Sequence, residues 1–384
     1  MLKIGVIGYG DRIAGMVRLM STFDIPFKVI AISDPRSDEI RKSNDAFVQE
    51  TTFYDTADEL LSDETLDGVM VGTRCRLHAE MACKVAPTNI PLFLEKPVAT
   101  SFEQLRLLEA SFKAVSTPVM VSFPLRISPI ATTVKQIIDS EQVGSIEHVV
   151  AFNDVPYGAV YFDAWYRDYC EVGGLFLQKA THDFDYITYL LGDKPKWICA
   201  MNSQLVYGGD KPRDLKCRNC DEQISCPESP FNLFYMRSEG MRVNQSDWRL
   251  CVFSKGLKNE DSGNAILEYE NGVQVSYSQN FFARHQAARR GARLYGYKGT
   301  IEFDWYKNQI KIYGHHRPKV ETIEFTGKQS HFGGDVELCR DFLLLMQGKI
   351  SSRTPLHAGM LSALTCLWAR ESAEKRMFCE IRMP

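Results

Sequence analysis

The chain has 384 residues, enough for two or three domains and a large buried core without disulfide staples. Hydrophobic residues make up 45% and charged residues 24%, which excludes a disordered chain, and a net charge of −3 offers nucleic acid no basic surface. The 11 cysteines are too sparse for a disulfide scaffold, and neither a signal-peptide pattern nor an apolar run of membrane-spanning length is present, so we expect a cytoplasmic protein with free thiols and no membrane partner.

In chain order, strands are expected at Lys3–Ile7, Phe27–Ser33, Gly68–Gly72, Pro91–Leu94 and Pro118–Phe123. Helical patterns lie between them at Ile13–Met20, Ser37–Val48, Ala57–Leu61, Cys75–Val85 and from a Thr100/Glu103 capping box to Val115. This alternation predicts βαβ units and a parallel sheet covered on both faces. After residue 123 the pattern changes to a helix at Ile130–Asp139, a strand at Ile146–Asn153 and a helix at Leu175–Leu191 closed by Gly192. From Trp197 to Glu324 the chain reads mostly as strands, with turns at Asn271-Gly272 and Lys298-Gly299, and two helices follow at Val336–Met346 and His357–Lys375. Lys211–Pro230, rich in Pro, Cys and charge, reads as an inserted loop. The expected fold class is α/β: a first domain of βαβ units with a parallel sheet (1–123), then a second α/β domain with a mixed or antiparallel sheet (124–350), and a terminal segment (351–384).

Gly8, Tyr9 and Gly10 follow the first strand directly and lead into Asp11, Arg12 and a helix. Glycines there allow a tight turn and close approach of the backbone to a pyrophosphate, which the helix N-terminus then attracts. The third glycine of the usual fingerprint is absent, because Ile13 occupies its position. Asp34 ends the second strand where a carboxylate holds a ribose hydroxyl and repels a 2′-phosphate, which favours NAD, whereas Arg36 nearby would accommodate NADP.

Glu95-Lys96-Pro97 follows the strand Pro91–Leu94, at the strand end where open α/β sheets bind ligands. A lysine there can move a proton or donate to a substrate oxygen. In GGLFLQKATHDFD (Gly173–Asp185), a regular helix places Gln178 and Lys179 one turn before His182, with Asp185 and Tyr186 one turn after it. A histidine between a lysine and a carboxylate can titrate near neutrality; the competing reading is a packed core histidine. Tyr161, Trp165 and Arg167 form an aromatic and cationic segment suited to a sugar face and an anionic group, or equally to packing. Arg284, Arg289, Arg290 and Arg293 read as a solvated sheet edge, and His315-His316 as an exposed turn. Cys217-x2-Cys220-x5-Cys226 has thiolate spacing suited to structural zinc, with Cys199 or Cys251 available as a fourth ligand; free thiols are the alternative.

With these residues in hand, the chain resembles the Gfo/Idh/MocA family of NAD(P)-dependent oxidoreductases nearly end to end. The resemblance rests on GVIGYG (Gly5–Gly10), Asp34, DGVMVGT (Asp67–Thr73), His78, EKP (Glu95–Pro97), FPLR (Phe123–Arg126) and GGLFLQKATHDFD. It implies NAD or NADP at Gly8, Tyr9, Gly10, Asp11, Arg12, Asp34, Arg36, Thr73, His78, Glu95 and Lys96. Proton transfer and oxygen binding fall to Lys96 and His182, assisted by Lys179, with substrate contacts at Arg126, Tyr161, Trp165, Arg167, Asp185 and His331. Many members carry an aspartate one turn before the histidine, where this chain has Gln178. The resemblance also implies an N-terminal Rossmann domain, a C-terminal α/β domain with an open-faced sheet, a last helix (351–384) packed on the first domain, a homodimer or homotetramer, and a sugar, polyol or sugar derivative as substrate. A redox-assisted glycoside hydrolase or lyase, and a sugar or dinucleotide sensor, are the alternatives.

Overall fold

The computed structural model describes residues 1–229, 232, 249–327 and 330–384. Strands β1 (Leu2–Ile7), β2 (Phe27–Ser33), β3 (Thr52–Tyr54), β4 (Gly68–Val71), β5 (Leu92–Leu94) and β6 (Val119–Val121) form one parallel sheet in the order β3-β2-β1-β4-β5-β6. Helices α1 (Asp11–Met20), α2 (Ser37–Arg41), α3 (Ala57–Asp63), α4 (His78–Val85) and α5 (Phe102–Phe112) connect the strands. The central strands β4 and β5 are buried at every residue, as a sheet covered on both faces requires. The strand order reverses between β1 and β4, and the carboxyl ends on either side of that point open a crevice for ligand.

Three local features differ from the sequence reading. The helix expected over Ser37–Val48 stops at Arg41, because Asp45 accepts from the Phe47 N–H and starts a separate turn at Ala46–Val48. The short strand β3 was not anticipated. Ser101, rather than Thr100, caps α5, its hydroxyl accepting from the Gln104 N–H.

After residue 123 the chain forms α6 (Pro129–Asp139), the short helices α7 (Val160–Asp163) and α8 (Tyr169–Val172), α9 (Thr181–Leu191), α10 (Gly334–Met346), α11 (Leu356–Lys375) and a second sheet. That sheet comprises β7 (Ile146–Asp154), β8 (Pro195–Ser203), β9 (Ser262–Tyr269), β10 (Gln274–Asn280), β11 (Arg289–Gly296), β12 (Gly299–Asp304), β13 (Gln309–Gly314), β14 (Val320–Glu324) and β15 (Cys379–Glu380). The order is β14-β13-β12-β11-β7-β10-β9-β8-β15, with β7 and β10 parallel and the remaining pairs antiparallel. Burial alternates along β9, so one face packs on helices and the other stays open.

The helices do not follow the expected domain limits. α10, assigned from sequence to the second domain, packs on the first: Leu338, Cys339, Phe342 and Leu343 share a core with Ile4, Met70 and Phe93, and the Phe93 and Phe342 rings meet edge to face at 5.5 Å. The last helix, α11, bridges the two domains. It lies against β8 and α9, while its Gly359 fits against Val98 and Val121 at the first sheet.

Candidate active site

The dinucleotide crevice is built from the ends of β1, β2, β4 and β5. Gly8 has φ +87°, and a Cβ there would lie 2.7 Å from the Thr73 nitrogen, so the turn after β1 accepts only glycine. A Cβ at Gly10 would meet nothing within 4 Å, and no side chain caps α1 behind it. An open space in front of uncapped helical N–H groups fits a pyrophosphate. Asp34 is buried at the end of β2; it accepts from the Tyr9 N–H at 2.8 Å and from the Arg36 N–H at 2.8 Å. The Arg36 guanidinium folds back onto Asp34 and the Tyr9 carbonyl. These residues fit a dinucleotide.

Three residues expected to touch the cofactor also brace the crevice. Arg12 donates to Glu95 at 2.9 Å, Ser122 at 3.0 Å and Asp335 at 2.8 Å, and so ties α1 to the end of β5 and the start of α10. Glu95 is the buried partner in that network: burial raises its carboxyl, but Arg12 and Lys96 together hold it below the usual range. His78 turns both ring nitrogens to backbone carbonyls, of Pro97 at 2.8 Å and Thr73 at 3.1 Å.

Lys96, at the carboxyl end of β5, reaches across to the second domain and donates to the Gln178 carbonyl at 3.0 Å. Burial lowers its pKa to about 8; Lys179 and Arg12 add to the shift, while Cys75 and Glu95 oppose it. The Lys96–Pro97 peptide is cis. The segment Lys96 meets is not a regular helix. Residues Phe176–Ala180 form a π-helical turn before α9, so the expected one-turn spacing from Gln178 and Lys179 to His182 does not hold. The turn begins at Gly173 and Gly174, both at positive φ, and buried Glu260 caps it by accepting from the N–H groups of Leu175 at 2.8 Å and Phe176 at 2.7 Å. Gln178 turns its side chain to Cys75, whose thiol donates to it at 3.4 Å.

Lys179 is buried and donates to the Tyr157 hydroxyl at 2.5 Å. Burial raises the Tyr157 phenol, but Lys179, Arg290 and Lys96 outweigh it and the net shift is downward. His182 is buried, with its ring 5.9 Å from Phe123 and 6.3 Å from His331. Burial and the cations Lys96, Arg290 and Lys179 push its pKa well below the ordinary value. The expectation that His182 titrates near neutrality is therefore corrected: its neighbours are cationic, and Asp185 does not face it. His182 Nδ1 has no hydrogen-bond partner among the described residues. His331, held at φ +44°, bonds through Nδ1 to Asp335 at 2.7 Å.

Arg126 and Asp185 stand apart from this group. They pair with each other at 2.5 and 3.0 Å, and both are buried. Arg167 is buried against Ser254. Tyr161 packs edge to face on Tyr166 and Phe281. Trp165 stacks on Tyr166 at 3.9 Å and carries Arg74 over its ring, which brings the aromatic segment to the end of β4.

Three site residues were not identified from sequence. Asp183, fully buried, accepts from Arg290 Nε, Asn153 and Tyr277, each at 2.8 Å. Arg290 was read as a solvated edge, yet it is buried, and strand alternation along Arg289-Arg290 already required one of the pair to point inwards. Tyr157 carried no motif. The thiols of Cys217, Cys220 and Cys226 are free, and among the described residues no three His, Cys, Asp or Glu side chains are already arranged to hold a metal ion.

Comparison with known proteins agrees with this architecture. Residues 2–123 match the oxidoreductase family with NAD-binding Rossmann fold, and residues 131–302 match the GFO/IDH/MocA C-terminal domain. The chain is 26% identical to the Bacillus subtilis protein YteT over 76% of this chain and 75% of that protein. It is 28% identical to myo-inositol 2-dehydrogenase of Thermotoga maritima over 53% of this chain and 59% of that one. A solved structure of levoglucosan dehydrogenase with NADH and levoglucosan superposes with a TM-score of 0.77 at 17% identity, covering 99% of both chains. Among the described residues no helix is long and apolar enough to cross a membrane. With both halves of the family matched in one chain and the dinucleotide crevice in place, the protein belongs to the Gfo/Idh/MocA family of NAD-binding oxidoreductases.

Proposed function

We propose that the protein is an NAD-dependent dehydrogenase or reductase acting at a hydroxyl-bearing or carbonyl carbon of a sugar, polyol or sugar derivative. The observation that carries this reading is Lys96: a half-buried amine whose pKa is lowered to about 8, at the carboxyl end of β5 and held against the π-helical turn of the second domain. The inositol and levoglucosan dehydrogenases among its relatives support the substrate class.

Gly8, Gly10 and the start of α1 would hold the pyrophosphate, and Asp34 the ribose hydroxyls. When bound, NAD supplies the hydride acceptor, and the protein's part is positioning and proton transfer. Burial lowers the Lys96 pKa to about 8, which suits a general base for a carbinol proton and, in reverse, a general acid. His182 stays neutral over the same range and uses its free Nδ1 to orient the substrate oxygen. Lys179, steadied by Tyr157, presents a second cation to the oxygen or to an anionic group of the substrate. Asp183 and Arg290 fix the floor beneath His182. The exposed Trp197, Ile266 and Phe378 share one apolar patch of the open sheet, which supports the homo-oligomer expected.

The test is NAD⁺ reduction by the purified protein across polyols, aldoses, amino sugars and uronic acids. Substrate-dependent NADH formation that disappears in Lys96→Ala is expected. Bound cofactor with no net NADH from any substrate would transfer the assignment to the redox-assisted hydrolase or the sensor.

A further inference from the structure

The cysteine-bearing loop between β8 and β9 takes no part in the chemistry above. Between Gly208 and Glu228 it contributes no buried residue, so apolar packing does not hold it in place. It is nevertheless attached to the wall of the candidate active site. Glu228 receives two hydrogen bonds from Arg284 at 2.7 Å, and Arg284 also donates to the Tyr207 hydroxyl. The Tyr207 ring packs on Phe162 at 4.3 Å, and at the far end of the loop Arg249 pairs with Asp163 at 2.7 Å.

Backbone pairing explains how the cysteines come together. An antiparallel bridge joins Lys216 to Leu250; the Cys217 N–H donates to the Arg249 carbonyl and the Cys251 N–H to the Leu215 carbonyl. This pairing brings Cys251 beside the C-x2-C turn, where the Cys220 N–H returns to the Cys217 carbonyl. Cys217, Cys220, Cys226 and Cys251 line one cavity of about 20 Å³. That volume admits a single water-sized sphere. The Ser229 N–H donates to the Cys226 carbonyl at 3.1 Å, which turns the chain at that cysteine. Cys199, the other sequence candidate, lies in β8 and is not part of this cavity.

We propose that Cys217, Cys220, Cys226 and Cys251 form a closed tetrathiolate site for a zinc ion that fixes this loop against the wall of the active site. Four thiolates leave no open position, so the metal is structural and takes no part in hydride transfer. Among the described residues these side chains are not already at ligand distance from one centre, so closing the set on Zn–S bonds of about 2.3 Å requires the four sulfurs to converge on the cavity they line. Each thiol releases its proton to solvent as the metal binds.

The test is metal analysis of the full-length protein purified without chelator, followed by exchange of the metal for cobalt. One zinc per chain and an intense thiolate-to-cobalt absorption are expected. Cys251→Ser and Cys220→Ser should lose both, and Cys199→Ser should keep both. Because the loop variants could misfold, a second readout uses the unmodified protein: a chelator should speed proteolysis within residues 211–230, and added zinc should reverse the effect. Metal-free protein that gives no thiolate-to-cobalt band, or a disulfide among these four cysteines under non-reducing conditions, overturns the proposal.

Discussion

Asp183 and Arg290 meet at 2.8 Å beneath His182, both withdrawn from solvent, the acid from α9 and the base from β11. Asn153 and Tyr277 complete the carboxylate, so the pair joins the helix to three strands of the second sheet. Removing one member strands the other charge in the interior. Arg290→Met should therefore destabilise the fold by about 3–5 kcal/mol in chemical denaturation, and Asp183→Asn by less, because the amide keeps part of the hydrogen bonding. A loss below about 1 kcal/mol in Arg290→Met would show that water reaches the pair.

The lowered pKa of Lys96 sets a pH dependence. If Lys96 is the base, kcat/KM for alcohol oxidation should rise as pH passes through about 8, and the reverse reduction should fall over the same range. Lys96→Met should lower turnover by about 10²-fold or more and remove the inflection. A profile flat from pH 7 to about 9 in the unmodified enzyme would assign the proton transfer to another group.

The same amine links to stability. Its pKa is about 8 in the fold, against 10.5 for a free lysine. Between these values the unfolded chain binds more protons than the native one, so stability rises with pH across that window. Lys96→Met should flatten the rise, which urea titrations at pH 7.5 and about 10 would reveal.

In the proposed binding mode, Asp34 sets the cofactor preference. Its buried carboxylate faces the turn that carries Gly8 and Gly10, and a 2′-phosphate would be repelled there. Asp34→Ser removes the repulsion and releases Arg36. The ratio of NADP to NAD efficiency should rise by about tenfold or more, equivalent to about 1.4 kcal/mol. An unchanged ratio would place the ribose elsewhere.

Tyr157 acts through Lys179. Tyr157→Phe removes the acceptor of a charge-assisted hydrogen bond while keeping the ring over which the Lys179 ammonium lies at 4.8 Å. Turnover should fall by about tenfold with cofactor affinity unchanged. A full-length variant with wild-type turnover would exclude the pair from the site.

The sequence by itself determined the Rossmann half. Buried parallel strands are continuous apolar runs such as GVMV and LFL, and glycine at Gly8 is demanded by local backbone geometry, so both signals lie within a few adjacent residues. Lys96 was legible for the same reason, since its place at a strand end follows from the pattern just before it. Strand β3 escaped because TFY is only partly buried and forms no apolar run, and the break after Arg41 escaped because it depends on the Asp45 side chain capping a separate turn.

Only the tertiary structure decided what each charged side chain meets. Asp185 and His182 share one helix, but Asp185 turns to Arg126 and Asp183 to Arg290, partners 59 and 107 residues away in sequence. The π-helical turn likewise depends on Glu260, a cap supplied from 84 residues downstream of Phe176. α10 joined the first domain because its apolar stripe fits Met70 and Phe93, a match that no property of the stripe alone reveals. Local chemistry fixes elements and turns; contacts between distant segments fix which buried charges pair, and those pairs set the protonation states on which the proposed reaction depends.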